Sequence, residues 1–168
     1  MALAFRAFLI LASLSLPVIG GSPTFAQDAS VSFGGIRQDP SLPVEVTSET
    51  LSVDQNGNTA VFTGNVVVIQ GDMRMTAPRV KVEYGANGEG IQKVYGYEDV
   101  LLVTPTDAAE SLNAVYTVAS GDIVMTDSVA LTQGGAVITG DKLTANLTSG
   151  TGLMSGNVKT VFQPSKQQ

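Results

Sequence analysis

The sequence predicts an all-β protein, and three observations support this. Short runs that alternate between apolar and polar residues follow one another from Leu51 onward. Turn-forming pairs such as Asn56-Gly57, Gly71-Asp72 and Gly140-Asp141 separate the runs at intervals of roughly 8–15 residues. No segment between them is long enough for a crossover helix, so the strands are expected to pair in the antiparallel sense.

Composition narrows the classes of function. The chain has 168 residues, of which 43% are hydrophobic, and it contains no Cys and no His. Without those residues it cannot build a Ser-His-Asp triad, a cysteine nucleophile, a disulfide, or a thiolate or imidazole metal site. A formal charge of −6 argues against binding to nucleic acid. We therefore predict no metal and no cofactor.

Residues 1–26 have the pattern of a cleaved secretory signal peptide. Arg6 provides the positive charge, an apolar stretch follows it, and Pro17 ends that stretch. Small residues at Thr24 and Ala26 place the cleavage after Ala26. An uncleaved membrane anchor is the alternative, although the apolar stretch is shorter than the ~20 residues that a spanning helix needs. We therefore expect an exported protein.

Two segments outside the strand-forming region are predicted to lack regular structure. Residues 27–43 contain Gly34-Gly35, Pro40 and Pro43 without any sustained period, and we interpret them as a flexible leader. Residues 163–168 form a polar tail of the same kind. The folded domain is therefore expected to span residues 44–162.

An internal repeat accounts for much of this domain. Residues 51–84 align without a gap onto 114–147, at an offset of 63 residues. The apolar positions alternate in the same phase in both copies, and Gln70-Gly71 recurs as Gln133-Gly134. The shared phase predicts which face points inward, because a shift of one residue would exchange the two faces. Each copy is too small to bury its apolar face alone, so the two are expected to pack together.

Several short segments show a resemblance to a known family. Gly64-Asn65-Val66, Gln70-Gly71-Asp72 and the later Gly140-Asp141-Lys142-Leu143 together resemble the OstA-like family, over about residues 43–162. The resemblance implies an open, V-shaped β-jellyroll of two antiparallel sheets built from internal repeats. It also implies a periplasmic, non-enzymatic function in which the acyl chains of lipopolysaccharide lie in an apolar trough between the sheets.

The same resemblance implies a set of partners. Copies of the chain would stack end to end and carry lipopolysaccharide from the inner to the outer membrane. This bridge would join an LptC-like inner-membrane protein to an LptD-like outer-membrane translocon. Both of those partners are implied to share the fold, so they are also alternative identities: the first would keep a membrane anchor and the second would continue into a barrel.

The inward phase of the repeat predicts which residues line the trough. The side chains at these positions are apolar, and the methionines among them can repack around an irregular acyl chain. Filling a dry core is the alternative role for the same residues. The predicted lining residues are Val66, Val68, Met73, Met75, Ile123, Met125, Val129, Leu131 and Ile138.

The first and last strands are predicted to be open edges of the sheet. The runs 44–53 and 156–162 contain no proline and few charges, so each can pair with a second copy of the chain. Head-to-tail pairing of this kind produces open filaments rather than closed rings. The predicted partner-edge residues are Val44, Val46, Leu51, Val158 and Val161.

Three further expectations concern charge and chemistry. The basic residues Arg74, Arg79, Lys81 and Lys93 either contact phosphate locally or form a solvated strand face. A structural protein that polymerises through its edges around a dry core is a second possible function. A polysaccharide-active enzyme is a third; it needs two carboxylates across a cleft, whereas the acidic residues fall mainly in turns or on outward positions. We predict no catalytic residues.

Overall fold

In a computed structural model of the chain, residues 28–32, 39–86, 88 and 90–162 are described. Every regular element among them is a β-strand, which confirms the all-β prediction. The predicted signal peptide and polar tail lie outside the described residues. The strands are β1 (Ala29–Ser32), β2 (Glu45–Thr47), β3 (Thr50–Asp54), β4 (Thr59–Gln70), β5 (Met73–Tyr84), β6 (Ile91–Val103), β7 (Asp107–Thr117), β8 (Asp122–Gln133), β9 (Ala136–Asn146), β10 (Thr151–Ser155) and β11 (Lys159–Phe162).

The strands form one continuous antiparallel sheet. From β4 to β10 each strand pairs with the next strand along the chain. At one end β2 and β3 both pair with β4, and at the other end β11 pairs with β9 and β1 pairs with β10. The open antiparallel architecture is therefore confirmed, and a single 11-stranded sheet forms it.

Paired residues with positive φ angles bend the sheet. Gly64-Asn65 in β4, Glu98-Asp99 in β6, Asp127-Ser128 in β8 and Gly156-Asn157 after β10 have φ angles between 46° and 85°. Such angles are uncommon outside glycine, and here each pair marks a bend: the first three pairs lie within long strands and the fourth lies between β10 and β11. The strand pairing shifts its register at the same points. Because neighbouring strands bend at paired positions, the bends form one line across the sheet.

The line of bends folds the sheet into two layers, which we call A and B. Their inward faces share one buried apolar core. The hydroxyl of Tyr116 in layer A reaches Gln70 in layer B, although their strands are not neighbours in the sheet. Layer A contains β1 and residues 50–63, 79–86, 90–97, 113–126 and 142–155. Layer B contains residues 45–47, 66–76, 100–110, 129–139 and 159–162.

The burial pattern follows the bends. In β5 the buried positions are Met73, Met75 and Ala77 on one side of Pro78, and Val80 and Val82 on the other. The alternation therefore shifts by one residue at the bend, and the same face of the strand remains inward in both layers. A sheet that bent without this shift would turn apolar side chains outward in one of its layers.

Strand β1 differs from the flexible leader that we expected. Ala29–Ser32 pairs antiparallel with Thr151–Met154, at the far end of the sheet from β2. Val31 is buried in the core, and the pairing covers the outer edge of β10. Four residues with two serines form too short a pattern to predict a strand, and their order comes from pairing with β10 rather than from local propensity.

Replacing Gly64 by Ala is expected to destabilise the bend in β4. A Cβ atom at Gly64 would lie 2.5 Å from Oε2 of Glu49, and the φ angle there is +85°. Backbone strain of this kind costs about 1–3 kcal/mol. A shift of Glu49 would also weaken the hydrogen bond that its Oε1 accepts from Asn65. Urea unfolding measures the loss in free energy.

Gly134→Ala is the matched control for that substitution. Gly134 also has a positive φ, +54°, but no atom lies within 4 Å of a Cβ built there. Its loss in free energy is therefore expected to be smaller than that of Gly64→Ala. Equal losses would show that the contact with Glu49 is irrelevant to the bend.

Candidate functional site

The predicted lining residues lie in the interior, the space between the inward faces of layers A and B. Eight of the nine have at most 1% of their surface exposed. The ninth, Ile138, is partly buried, because it pairs with Thr160 in β11, the last strand of layer B. The eight fully buried residues are Val66, Val68, Met73, Met75, Ile123, Met125, Val129 and Leu131.

The two copies of the repeat supply opposite ends of this interior. Val68 pairs with Met75 across β4 and β5, and Leu131 pairs with Ile138 across β8 and β9. These pairs are related by the offset of 63 residues found in the sequence. Because β6 and β7 lie between the two hairpins, the interior runs across the whole sheet.

The middle of the interior comes from residues that the sequence analysis did not select. They lie on β6 and β7, most of which falls between or at the edge of the repeat copies, so phase comparison gave little guidance there. The sequence signal available there was the run 100–102, in which the first and third residues are buried. The residues added by the structure are Val94, Val100, Leu102, Ala109, Ala114 and Tyr116, all buried.

A buried polar group joins the two layers near the strand ends. The hydroxyl of Tyr116 donates to Oε1 of Gln70 at 2.7 Å. Nε2 of Gln70 donates to the carbonyl oxygens of Pro40 at 3.3 Å and Leu42 at 2.9 Å. Burial raises the pKa of Tyr116 to about 12, because the charged phenolate is disfavoured away from water.

The repeat-related glutamine makes a different set of contacts. Nε2 of Gln133 donates to Oδ1 of Asp107 at 2.8 Å, and both residues belong to layer B. The other carboxylate oxygen of Asp107 accepts a hydrogen bond from Thr106 at 2.9 Å. Asp107 is the one charged side chain that is buried among the described residues. The interior is therefore almost entirely apolar.

The basic side chains lie outside this interior. On the outer face of layer A, Arg79 stacks over Tyr97 at 4.2 Å from the ring centroid, and Lys81 stacks over Tyr95 at 4.4 Å. Lys81 also bonds to Glu83 at 2.8 Å, which lowers the pKa of that carboxyl. Of the two roles expected for these cations, a solvated strand face with local partners fits this arrangement.

The predicted edges lie at both ends of the sheet. Val46 lies in β2 and Val44 directly precedes this strand, and both side chains are partly buried. Leu51 in β3 is 56% exposed. At the other end Val158, directly before β11, is partly buried, and Val161 within β11 is exposed. Strands β2, β3 and β11 each pair with only one other strand, so their outer edges are open within the described part of the chain. In layer A the edge of β10 is instead covered by β1.

The described residues offer neither a cluster of metal ligands nor a membrane-spanning helix. No three His, Cys, Asp or Glu side chains are grouped closely enough there to hold a metal ion. In the same part of the chain, no helix has the length and apolar character required to cross a membrane.

The fold and interior define a class of protein in which one bent antiparallel sheet encloses a continuous apolar core. Comparison with known sequences identifies the family. The chain belongs to the LptA/(LptD N-terminal domain) family of LPS transport proteins, whose sequence model matches residues 45–151. The resemblance found in the sequence is thereby confirmed.

Individual relatives agree with this assignment. Lipopolysaccharide export system protein LptA of Escherichia coli K12 is 29% identical over 137 residues, which cover 78% of this chain and 73% of LptA. An uncharacterised protein of Rhizobium meliloti is 28% identical over 163 residues, which cover 95% and 75% of the two chains. LptH of Pseudomonas aeruginosa, described as the LptA homologous periplasmic component of a lipopolysaccharide transport device, has the same fold. The TM-score is 0.68 at 21% identity, over 76% of this chain and 99% of LptH.

The buried hydroxyl of Tyr116 leads to a prediction for alkaline pH. Its pKa is about 12 in the folded protein, against 10.0 for the unperturbed side chain. The unfolded chain therefore loses this proton first, and the free energy of unfolding is expected to fall as the pH rises from 10 to 12. Urea unfolding at several pH values measures the slope.

Tyr116→Phe provides the comparison for this measurement. Tyr95 has a raised pKa as well and contributes in the same direction, so the wild type and the variant share that part of the slope. The variant is expected to lose less stability than the wild type between pH 10 and 12. Identical slopes would show that Tyr116 ionises normally in the folded protein.

Proposed function

We propose that the chain is a periplasmic carrier that holds the acyl chains of lipopolysaccharide between layers A and B. The observation that supports this most directly is the continuous apolar interior in a member of an LPS transport family. Burial of each CH₂ group contributes about 0.8 kcal/mol, so one twelve-carbon chain exposed to water would forfeit on the order of 10 kcal/mol. A carrier must therefore offer a long apolar surface, as this interior does.

The interior is suited to a cargo whose shape is irregular. Met73, Met75 and Met125 are fully buried in it, and their unbranched side chains adapt to new neighbours more easily than valine or isoleucine. All three side chains belong to one buried apolar core. Acyl chains would therefore enter as the layers part, and contacts with lipid would replace contacts between the layers.

The distribution of charge supports binding through the acyl chains rather than the headgroup. The full chain has nine basic and fifteen acidic residues, so it does not attract phosphates as a whole. Arg79 and Lys81 face away from the interior and are engaged with Tyr97, Tyr95 and Glu83. The phosphorylated headgroup would remain in solvent at the open side of the folded sheet.

The open edges support a bridge made of several copies. Within the described part of the chain, the outer edges of β11 at one end and of β2 and β3 at the other pair with no further strand, and a second copy can extend them by backbone pairing. Leu51 and Phe162 are 56% and 77% exposed on these edge strands, so pairing would also bury apolar surface. End-to-end copies would join the apolar interiors into one path.

The bridge has two ends and therefore two further partners. We propose that an LptC-like inner-membrane protein occupies one end and an LptD-like outer-membrane translocon the other, each by extending the same sheet. Export to the periplasm would depend on cleavage of residues 1–26. Transport by this route requires no catalytic group.

One observation favours a second function, a scaffold that polymerises through its edges around a dry core. Val68, Met75, Ile123, Met125 and Leu131 are fully buried, as the side chains of a permanently closed core would be. Under this alternative the edges act as above but lipid never enters.

Photocrosslinking in cells distinguishes the two functions. A photoreactive residue at Val68 or Met75 would face the interior, whereas one at Val67 or Arg74 would face outward. If lipid enters, lipopolysaccharide adducts should form at the inward pair and not at the outward pair. Adducts at neither pair, with folded protein present in the periplasm, would favour the dry scaffold.

Substitutions at the edges test the bridge separately from lipid binding. Leu51→Lys and Val161→Lys add a charge to an edge strand, and each is expected to shift the protein from multimers toward monomers in light scattering. Leu112→Lys is the control, because Leu112 is 46% exposed but lies at the bend of the central strand β7. Equal loss of multimers in all three variants would argue against edge pairing.

A further inference from the structure

The hydrogen bond between Tyr116 and Gln70 has a special position in the fold. Tyr116 is the penultimate residue of β7 in layer A, and Gln70 is the last residue of β4 in layer B. Both therefore lie near strand ends, on the side of the folded sheet opposite the bends. Their hydrogen bond joins the two layers on the side away from the bends. The layers cannot part near these two strands without breaking it.

The N-terminal segment binds to the same glutamine. Residues 39–42 form a turn in which the carboxylate of Asp39 accepts hydrogen bonds from the backbone and the hydroxyl of Ser41. The carbonyl oxygens of Pro40 and Leu42 in this turn accept from Nε2 of Gln70. The side-chain amide of Gln70 is thus held by layer A through its oxygen and by the N-terminal turn through its nitrogen.

The repeat-related glutamine bonds to a different kind of partner. Gln133 occupies the equivalent position in the second copy, and its Nε2 donates to Asp107 within layer B. The aligned counterpart of Tyr116 is Val53, which is exposed on strand β3 and has no cross-layer partner to reach.

We propose that Tyr116 and Gln70 form a latch that holds the layers closed in the absence of lipid and opens when acyl chains enter. This inference rests on the proposed lipid-carrier function and identifies two residues that control access to the interior. The latch is specific because both side chains are fully buried, and breaking their bond leaves a polar group unsatisfied unless the site opens to water. Apolar contacts elsewhere between the layers can slide or repack without such a cost.

The first test measures the separation of the layers without lipid. The chain has no Cys, so spin labels can be attached at Lys93→Cys in layer A and Thr132→Cys in layer B, both exposed positions. In Tyr116→Phe the distance distribution between the labels, measured by double electron–electron resonance, is expected to become broader or longer. An unchanged distribution would overturn the latch.

Tyr95→Phe is the matched control. Its hydroxyl donates to Oε2 of Glu83 at 2.8 Å on the outer face of layer A, so its removal breaks a bond of similar length that does not cross the layers. The distance distribution of this variant is expected to match that of the wild type. Equal broadening in both phenylalanine variants would also overturn the proposal.

The second test measures the entry of lipid, with purified lipopolysaccharide as the probe. Loss of one neutral hydrogen bond is expected to raise the open population, and with it the rate of binding, by roughly two- to tenfold in Tyr116→Phe. Binding that is equally fast in the wild type would overturn the role of the latch in access. If the wild type binds no lipopolysaccharide, the carrier function fails, while the distance measurement still decides whether the latch holds the layers together.

Gln70→Met removes the hydrogen bonds of the amide to Tyr116, Pro40 and Leu42 and gives an independent check. The layers are expected to open as in Tyr116→Phe, and the backbone amides of residues 41–47 should exchange hydrogen faster because the N-terminal turn is released. Gln133→Met is its control and should leave both readouts unchanged. If the amides of residues 41–47 exchange no faster in Gln70→Met than in the wild type, the proposed link between the turn and the latch is overturned. If Gln70→Met does not fold, Tyr116→Phe, which loses a single oxygen atom, remains decisive.

Discussion

The bends with positive φ angles are the constraint on which the rest of this structure depends. An antiparallel meander that stayed flat would expose one apolar face to water, and this chain has no helix among its described residues to cover it. Bends within the long strands and between β10 and β11 let one sheet cover itself. The interior, the register of the buried residues and the position of the open edges all follow from where Gly64-Asn65, Glu98-Asp99, Asp127-Ser128 and Gly156-Asn157 lie.

A sheet that covers itself also has a natural way to open. The bends hold the layers together on one side, through hydrogen bonds such as Asn65 to Glu49 and Asn157 to Asp141. On the opposite side the layers are joined mainly by apolar contacts, which acyl chains can replace at little net cost, and by the bond between Tyr116 and Gln70. Stability and cargo binding would therefore draw on the same buried surface, and lipid would substitute for the opposite layer.

The two ends of the sheet are not equivalent, and this bears on assembly. Strands β2 and β3 leave both layers open at one end, whereas at the other end β11 leaves layer B open and β1 covers β10 in layer A. Among the side chains of β1 whose burial is described, Val31 is the one in the buried core. A neighbouring copy that extends the C-terminal end would thus meet the open edge of β11 and the outer edge of β1.

The amino-acid sequence by itself determined the fold class, the inward phase of the strands and eight of the fully buried positions of the interior, because alternation and an internal repeat are local patterns. It also indicated the family, through short motifs that the sequence comparison supports. Only the tertiary structure decided that one sheet forms both layers, that Ala29–Ser32 joins β10, and that Tyr116 meets Gln70. These features depend on contacts between residues far apart in the chain; Tyr116 and Gln70, for example, are 46 positions apart. No local pattern specifies which distant partner a strand edge or a buried hydroxyl will meet.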